Sequence, residues 1–152
     1  MLHIHKKLKK WLQFGGHVEL HETPWQAISH EIQEESGYQL SQLKLLQPKQ
    51  RIRHTPDASM HPIPFYDQTH GFPGDPAAPD HHHTDRGYVF YTDQEPAGAI
   101  DDGESTTIKL FSLTDIQALP DDAIFSDFRP ICEYILRLNL DDWALEDADQ
   151  QN

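Results

Sequence analysis

The order of predicted elements in this chain, strands around one early helix and then two late helices, indicates a mixed α/β fold. Residues 2–5 alternate between apolar and polar, which predicts a first strand because side chains alternate across a sheet. The apolar and aromatic run at 87–92 predicts a central strand that is buried on both faces. A helix with clear start and stop signals lies between them, so an all-β class is excluded.

The early helix is predicted over residues 24–36. Thr23 is a favourable N-cap, and Pro24 is well tolerated at the first helical position. Gly37 follows the last turn, where a left-handed residue is wanted. Apolar residues at helical spacing form its core stripe: Trp25, Ile28 and Ile32, with Ala27 beside them.

The remaining elements follow from composition and periodicity. Strands are predicted at 43–46, 51–55 and 106–111, an extended segment at 61–66, loops at 67–80 and 95–104, and helices at 113–119 and 127–139. The acidic stretch 141–152 is expected to be a solvated, fraying terminus. The length of 152 residues predicts a single domain over 1–152.

Composition and charge limit the classes of function. The hydrophobic fraction of 37% and charged fraction of 24% are typical of a soluble globular protein. The net charge of −13 argues against binding to nucleic acid backbones or anionic membranes. A small phosphorylated ligand stays compatible with this charge, because a bound divalent cation reverses the local sign.

The chain has a single cysteine, Cys132, so an intrachain disulfide is excluded and a reducing, cytoplasmic setting is expected. Cys132 lies in the apolar pattern of the last helix, which predicts a packed thiol rather than a nucleophile. The sequence contains no apolar run of membrane-spanning length and no secretory leader pattern at its start.

Three glutamates give the chain its most informative pattern. Glu31, Glu34 and Glu35 lie at i, i+3 and i+4 of the predicted helix, and therefore on one face. Like charges at this spacing repel and destabilise a helix. A bound cation would offset that repulsion, and hard cations such as Mg²⁺ prefer oxygen ligands.

Together with residues upstream, this pattern resembles the Nudix box, G-x5-E-x7-R-E-U-x-E-E-x-G-U, where U is a bulky aliphatic residue. Seven residues match at the required spacing: Gly16, Glu22, Glu31, Ile32, Glu34, Glu35 and Gly37. At roughly 7% usage each, six Gly and Glu letters in fixed places occur by chance about once in ten million start positions. Tyr38 matches the last position loosely, and His30 stands where the pattern has Arg.

The resemblance implies a Nudix α/β/α sandwich with a mixed sheet. Members of the family usually begin with a strand and loop before the segment that matches residues 2–5, so the usual first strand is expected to be absent. An unpaired sheet edge of that kind would favour a homodimer.

The resemblance also implies a metal-dependent hydrolase that cleaves a diphosphate linkage in a nucleoside diphosphate derivative or a similar small phosphorylated metabolite. Mg²⁺ or Mn²⁺ would be its cofactor, held by Gly16, Glu31, Glu34 and Glu35. Glu34 and Glu35 would be catalytic, together with a downstream acid that accepts a proton from water. We favour Glu104 for that acid over its neighbours Asp101 and Asp102.

In the family, the residue matched by Glu22 pairs with the box arginine, which orients a ligand glutamate. His30 must take this orienting role here, although imidazole is shorter, lacks the guanidinium fork and is charged only when protonated. We therefore predict a weakened or pH-dependent site, or a compensating contact from elsewhere.

A second group of polar residues precedes the strand at 87–92. His81, His83 and Asp85 share one face if the chain is extended, and His61 is expected nearby. This stretch is similar to a subgroup of bacterial Nudix proteins with an H-x-H-x-D segment. Three interpretations stay open: contacts to substrate or acid–base chemistry, a transition-metal site such as zinc, or a polar loop end.

Two other functions compete with the hydrolase. The first is a Nudix-like module that binds a nucleotide as a sensor without turnover, which His30 favours. The second is a prenyl diphosphate isomerase, which would need a cysteine in a different part of the chain from Cys132.

Overall fold

The computed structural model describes residues 1–72 and 80–151. Its α-helices are α1 (Pro24–Ser36), α2 (Leu113–Ala118) and α3 (Phe128–Ile135). Its strands are β1 (Leu2–Ile4), β2 (Trp11–Leu12), β3 (Lys44–Pro48), β4 (His54–Thr55), β5 (Ala58–Ser59), β6 (Tyr66–Phe72), β7 (His81–Gly87), β8 (Phe90–Tyr91), β9 (Ile108–Lys109) and β10 (Trp143–Asp147).

These strands form antiparallel sheets. β1 lies between β2 and β9, and β3 lies between β10 and β8. β4 pairs with β5, and β6 pairs with β7 along its whole length. The predicted mixed α/β class, with antiparallel sheets and few helices, is confirmed.

Local sequence signals account for helix α1. The Thr23 hydroxyl accepts a hydrogen bond from the Gln26 N–H, and the Gln26 side chain accepts one from the Thr23 N–H, which completes a capping box. Gly37 ends the helix in the left-handed region at φ 72°. A Cβ at Gly37 would lie 2.5 Å from the Gly98 carbonyl oxygen, so both conformation and space require glycine.

The core consists of two apolar clusters. The first joins α1 to β3 and to the chain that follows β10: Trp25, Ile32, Tyr38, Leu43, Leu45 and Ala148. The second joins β1 to the late helices: Leu2, Ile116, Ile124, Phe128 and Cys132. Cys132 is buried, and burial raises the pKa of its thiol to about 11, as expected for a packed residue.

The prediction of a loop over 67–80 is wrong for its first part. Residues 67–72 belong to β6, whose register places Tyr66 opposite Gly87 and His70 opposite His83. Cross-strand pairing with β7 therefore outweighs the weak strand propensity of residues such as Gly71. The predicted loop residues 73–79 lie outside the described part of the chain.

The prediction of one central strand over 87–92 is also wrong. β7 ends at Gly87, and β8 begins at Phe90 and borders only one side of β3 among the described strands. A Cβ at Gly87 would lie 1.9 Å from the Tyr66 ring, so the Tyr66 side chain occupies that space. The middle strand is β3, where Leu45 and Gln47 are fully buried.

The prediction of a fraying terminus is wrong for the described part of the acidic stretch, residues 141–151. Its residues 143–147 form β10, which pairs with β3 over its full length, and Ala148 is fully buried. Glu146 forms ion pairs with Arg51 and Arg53, each at 2.6 Å.

Three predicted elements are shorter than expected: the strand at 51–55 is reduced to His54–Thr55, the strand at 106–111 to Ile108–Lys109, and the helix at 127–139 to Phe128–Ile135.

Candidate active site

The three glutamates of α1 differ in their exposure. Glu35 is buried, Glu31 is half-buried and Glu34 is exposed. Trp25 and Ile32 turn into the first core cluster, so the helix packs on one side and presents carboxylates on another. This gradient places one carboxylate inside the protein and the others at its surface.

Two consecutive glycines let the backbone before α1 approach these carboxylates. The Gly15 N–H donates a hydrogen bond to Glu35 Oε2 at 2.7 Å, from a backbone with φ 144°. A Cβ at Gly16 would lie only 1.9 Å from Glu31 Oε1. Because these two residues are glycines, the loop can lie directly against two of the glutamates.

Burial and mutual repulsion raise the pKa of the inner carboxyl groups. Burial is the main cause for Glu35, whose pKa rises to about 7 despite the Gly15 hydrogen bond, and the charges of Glu31, Glu104 and Glu34 add to it. The pKa of Glu31 is raised by burial and by neighbouring carboxylates, while His30 lowers it. The side chains therefore form a concentration of negative charge that a cation would relieve.

Glu104 reaches this charge cluster from a separate loop. Its carboxylate contributes to the raised pKa of both Glu31 and Glu35. The loop is fixed to α1 through the backbone, because the Asp101 N–H donates to the Glu34 carbonyl at 2.8 Å and the Glu104 N–H donates to the Asp101 carbonyl at 3.0 Å. Glu104 is half-buried, whereas Asp101 is exposed to solvent.

His30 occupies a bridging position between Glu22 and Glu31. Its Nδ1 lies 3.1 Å from Glu22 Oε2, and its Nε2 lies 4.0 Å from Glu31 Oε1. The first distance is a direct contact and the second is loose. The imidazole thus spans both carboxylates, but it cannot offer the paired donors that a guanidinium would place on each.

Sequence analysis missed His3, which lies beneath the site. His3 is 2% exposed in β1, and its Nδ1 is 3.7 Å from Glu35 Oε1 and has no hydrogen-bond partner among the described residues. Burial lowers its pKa, with a smaller contribution from His5. A histidine inside an apolar strand was the available signal, but nothing in the sequence shows that β1 faces the buried glutamate.

A second group of side chains lies on one face of the β6–β7 pair. His81, His83 and Asp85 share this face as predicted from alternation, and the Nε2 atoms of His81 and His83 are 3.0 Å apart. Sequence analysis missed two members, His70 on β6 and His17 on the glycine loop, whose rings lie 5.8 and 5.3 Å from the His83 ring. We call His17, His70, His81, His83 and Asp85 the imidazole face.

The predicted member His61 is not brought to this group. Its side chain is exposed in the segment before β6, and among the described residues it makes no ring contact with the imidazole face. His17 directly follows Gly16, so the glycine loop touches the α1 carboxylates on one side and the imidazole face on the other.

The sequence model of the NUDIX domain matches residues 3–132. This chain belongs to the Nudix family. It is also similar to the crystal structure of a hydrolase of the NUDIX family from Clostridium perfringens, with 27% identity and a TM-score of 0.69. That similarity covers 89% of this chain and 85% of the other. The comparison with curated proteins finds no match.

Family membership assigns a hydrolase, and Nudix hydrolases generally use divalent metals. Among the described residues, no three His, Cys, Asp or Glu side chains are already arranged to hold a metal ion. The chemistry of the donor set nevertheless fits a hard cation, because Glu31, Glu34, Glu35 and Glu104 are all carboxylates.

Within residues 1–72 and 80–151 of this Nudix protein, no helix combines the length and the apolar character that crossing a membrane requires.

Proposed function

We propose that this Nudix protein is a Mg²⁺- or Mn²⁺-dependent hydrolase that cleaves the diphosphate linkage of a nucleoside diphosphate derivative or a similar small phosphorylated metabolite. One arrangement carries the proposal: Glu35 is buried and accepts a hydrogen bond from the Gly15 N–H, and Gly16 lies against Glu31, so the glycine loop and the carboxylates meet at one point. Burial and neighbouring carboxylates raise the pKa of Glu35, as expected where a cation is needed to offset the charge.

The residues proposed to hold the cation are Glu31, Glu34 and Glu35, with the Gly16 carbonyl oxygen. When bound, the metal ion would neutralise charge on the phosphate oxygens and lower the pKa of water. Gly15 supports this arrangement, because its N–H fixes one oxygen of Glu35, while the other oxygen lies 3.7 Å from His3 Nδ1. Gly16 supports it by allowing Glu31 to lie against the loop.

The other residues are proposed to position groups and move a proton. Glu104 accepts the proton of the attacking water, since it is the loop carboxylate whose charge reaches both Glu31 and Glu35. Glu22 and His30 orient Glu31 through the contacts at 3.1 and 4.0 Å. His61, His81, His83 and Asp85 are proposed to contact the substrate, and the last three are supported by their place beside the glycine loop.

The test is hydrolysis of a panel of nucleoside diphosphate derivatives at pH 6 and pH 8.5, with Mg²⁺, Mn²⁺ or EDTA, read as the phosphate that an added phosphatase releases from the monoester products. We expect metal-dependent turnover by the wild type and at least about a hundredfold loss in Glu35→Gln. Glu133→Gln is the matched control, because Glu133 lies on helix α3, away from the α1 carboxylates, and pairs with Arg137. Turnover that persists in Glu35→Gln or in EDTA would contradict the proposal.

The second candidate function is a nucleotide sensor without turnover, and one observation favours it. His30 replaces the guanidinium fork by a single contact to Glu22 and a loose 4.0 Å approach to Glu31. A sensor would be stabilised against unfolding by a nucleoside diphosphate and Mg²⁺ but would release no phosphate.

A further inference from the structure

We propose that the imidazole face binds a borderline-soft transition-metal ion such as Zn²⁺, at a site separate from the α1 carboxylates. The ligands would be His83 and two of its neighbours His17, His70 and His81, so that His81 and His83 would meet a substrate through the ion instead of directly. The proposal rests on where three different segments place their rings: the glycine loop, β6 and β7.

The ring spacings are those of a metal-bound histidine set. With a Zn–N distance of about 2.0–2.1 Å, each ring centre lies about 3.2 Å from the ion, and two tetrahedral ligands have ring centres about 5.2 Å apart. The His83 ring lies 4.9 Å from His81, 5.3 Å from His17 and 5.8 Å from His70. The three ring separations thus lie on both sides of the tetrahedral value and within about 0.6 Å of it.

Two ligand nitrogens are already close to position. The Nε2 atoms of His81 and His83 are 3.0 Å apart, against about 3.3 Å for two nitrogens on one tetrahedral Zn²⁺. The described side chains do not yet present a third ligand atom at this point. His17 is exposed on the glycine loop, and its ring lies 5.3 Å from the His83 ring, so it is the candidate for the third ligand.

Asp85 supplies the supporting contact that such sites use. Its Oδ2 lies 3.2 Å from His70 Nδ1 and accepts a hydrogen bond from the Gln68 side chain at 3.2 Å. A carboxylate beside Nδ1 is the usual arrangement behind a metal-bound histidine. The β6–β7 ladder holds His70 directly opposite His83, so this geometry is built on paired strands.

The neutral imidazole is the form that binds a metal, and the environment of His83 favours it. The pKa of His83 is lowered by partial burial and by the neighbouring rings of His81, His17 and His70. Imidazole nitrogens also distinguish this face chemically from the carboxylates of α1, because Zn²⁺, Co²⁺ and Ni²⁺ accept nitrogen donors whereas Mg²⁺ prefers oxygen.

The experiment titrates Co²⁺ into the full chain, produced without a polyhistidine tag and stripped of metal, and follows the visible absorption typical of tetrahedral Co²⁺. Zn²⁺ is then added as a competitor. The variants are His83→Ala and His81→Ala, with Glu35→Gln to remove the buried carboxylate of α1. His82→Ala is the matched control, because His82 lies on the same strand but pairs against Gly71 on the opposite side.

We expect one equivalent of tetrahedral Co²⁺, displaced by Zn²⁺, in the wild type, His82→Ala and Glu35→Gln. His83→Ala and His81→Ala should bind at least about tenfold more weakly, with unchanged melting temperatures in the absence of metal. If His83→Ala does not fold, His81→Ala decides the question. Absence of a tetrahedral spectrum, equal binding by His83→Ala and His82→Ala, or loss of binding in Glu35→Gln would overturn the proposal.

Discussion

Replacing Glu35 by Gln should make the metal-free protein more stable at alkaline pH while it removes the proposed activity. The folded protein holds the Glu35 carboxyl group at a pKa of about 7, against an ordinary value of 4.5. The folded state therefore binds the proton more tightly than the unfolded chain does. Stability contributed by this group is complete below about pH 4.5 and is lost as the pH rises through 7.

The size of the effect follows from the two pKa values. One pKa unit corresponds to about 1.4 kcal/mol. Relative to a side chain that does not titrate, Glu35 therefore destabilises the folded wild type by about 3 kcal/mol at pH 8 and by about 1 kcal/mol at pH 5, where only the unfolded chain ionises. Solvent screening reduces this little, since the Glu35 side chain is only 9% exposed. Gln is isosteric and still accepts the hydrogen bond from Gly15.

The assay is urea unfolding of the wild type and Glu35→Gln in EDTA at pH 5 and pH 8. We expect the advantage of Glu35→Gln to be about 2 kcal/mol larger at pH 8 than at pH 5, and to shrink when Mg²⁺ is added because the ion stabilises the ionised wild type. Glu34→Gln is the matched control, an exposed carboxylate on the same helix, and should change little. An equal advantage at both pH values, or none, would refute the account of Glu35 as a strained carboxylate.

Three further substitutions test the surroundings of the site. Gly16→Ala places a methyl group 1.9 Å from Glu31 Oε1 and should lower metal-dependent turnover about a hundredfold with little change in urea midpoint. Unchanged turnover would mean that activity does not require Glu31 to lie against the loop. His30→Arg restores the fork facing Glu22 and should raise turnover about tenfold or more at pH 8.5, measured by phosphate release; a fall would mean that the imidazole is the better partner here. Gly37→Ala forces a side chain at φ 72° and should lower the free energy of unfolding by about 1–3 kcal/mol in urea denaturation, and an unaltered midpoint would argue against the tight helix end.

The parts of the fold that the sequence predicted well depend on neighbours in the chain. The bounds of α1 follow from Thr23, Pro24 and Gly37, which act within one helical turn, and the structure reproduces them. Much of β6 was predicted as a loop because residues such as Gly71 have weak strand propensity, although its partner β7 follows closely in the chain. β10 was predicted as a fraying terminus because its hydrogen-bond partner is distant. β10 pairs with β3, about a hundred residues earlier, and no local pattern specifies such a partner.

The same distinction applies to the candidate site. Spacing along one helix was enough to select Glu31, Glu34 and Glu35, since helical periodicity fixes their relative positions. His3 and His17 could not be selected in this way, because each reaches its partner from another element, His3 towards Glu35 and His17 towards the ring of His83. Local composition does not encode that approach.

The pairing of β3 with β10 has a consequence for how the protein folds. Trp143 lies opposite Pro48 and Asp147 opposite Lys44, so closing this sheet requires two segments to meet that are about a hundred residues apart in the chain. The entropy of closing so long a loop makes the step slow. Until β10 arrives, the apolar strand containing Leu45 and Leu46 has an open edge, and chains at that stage can join edge to edge. We therefore expect refolding yield to fall steeply with protein concentration, whereas the folded protein, with β3 enclosed between two strands, is protected.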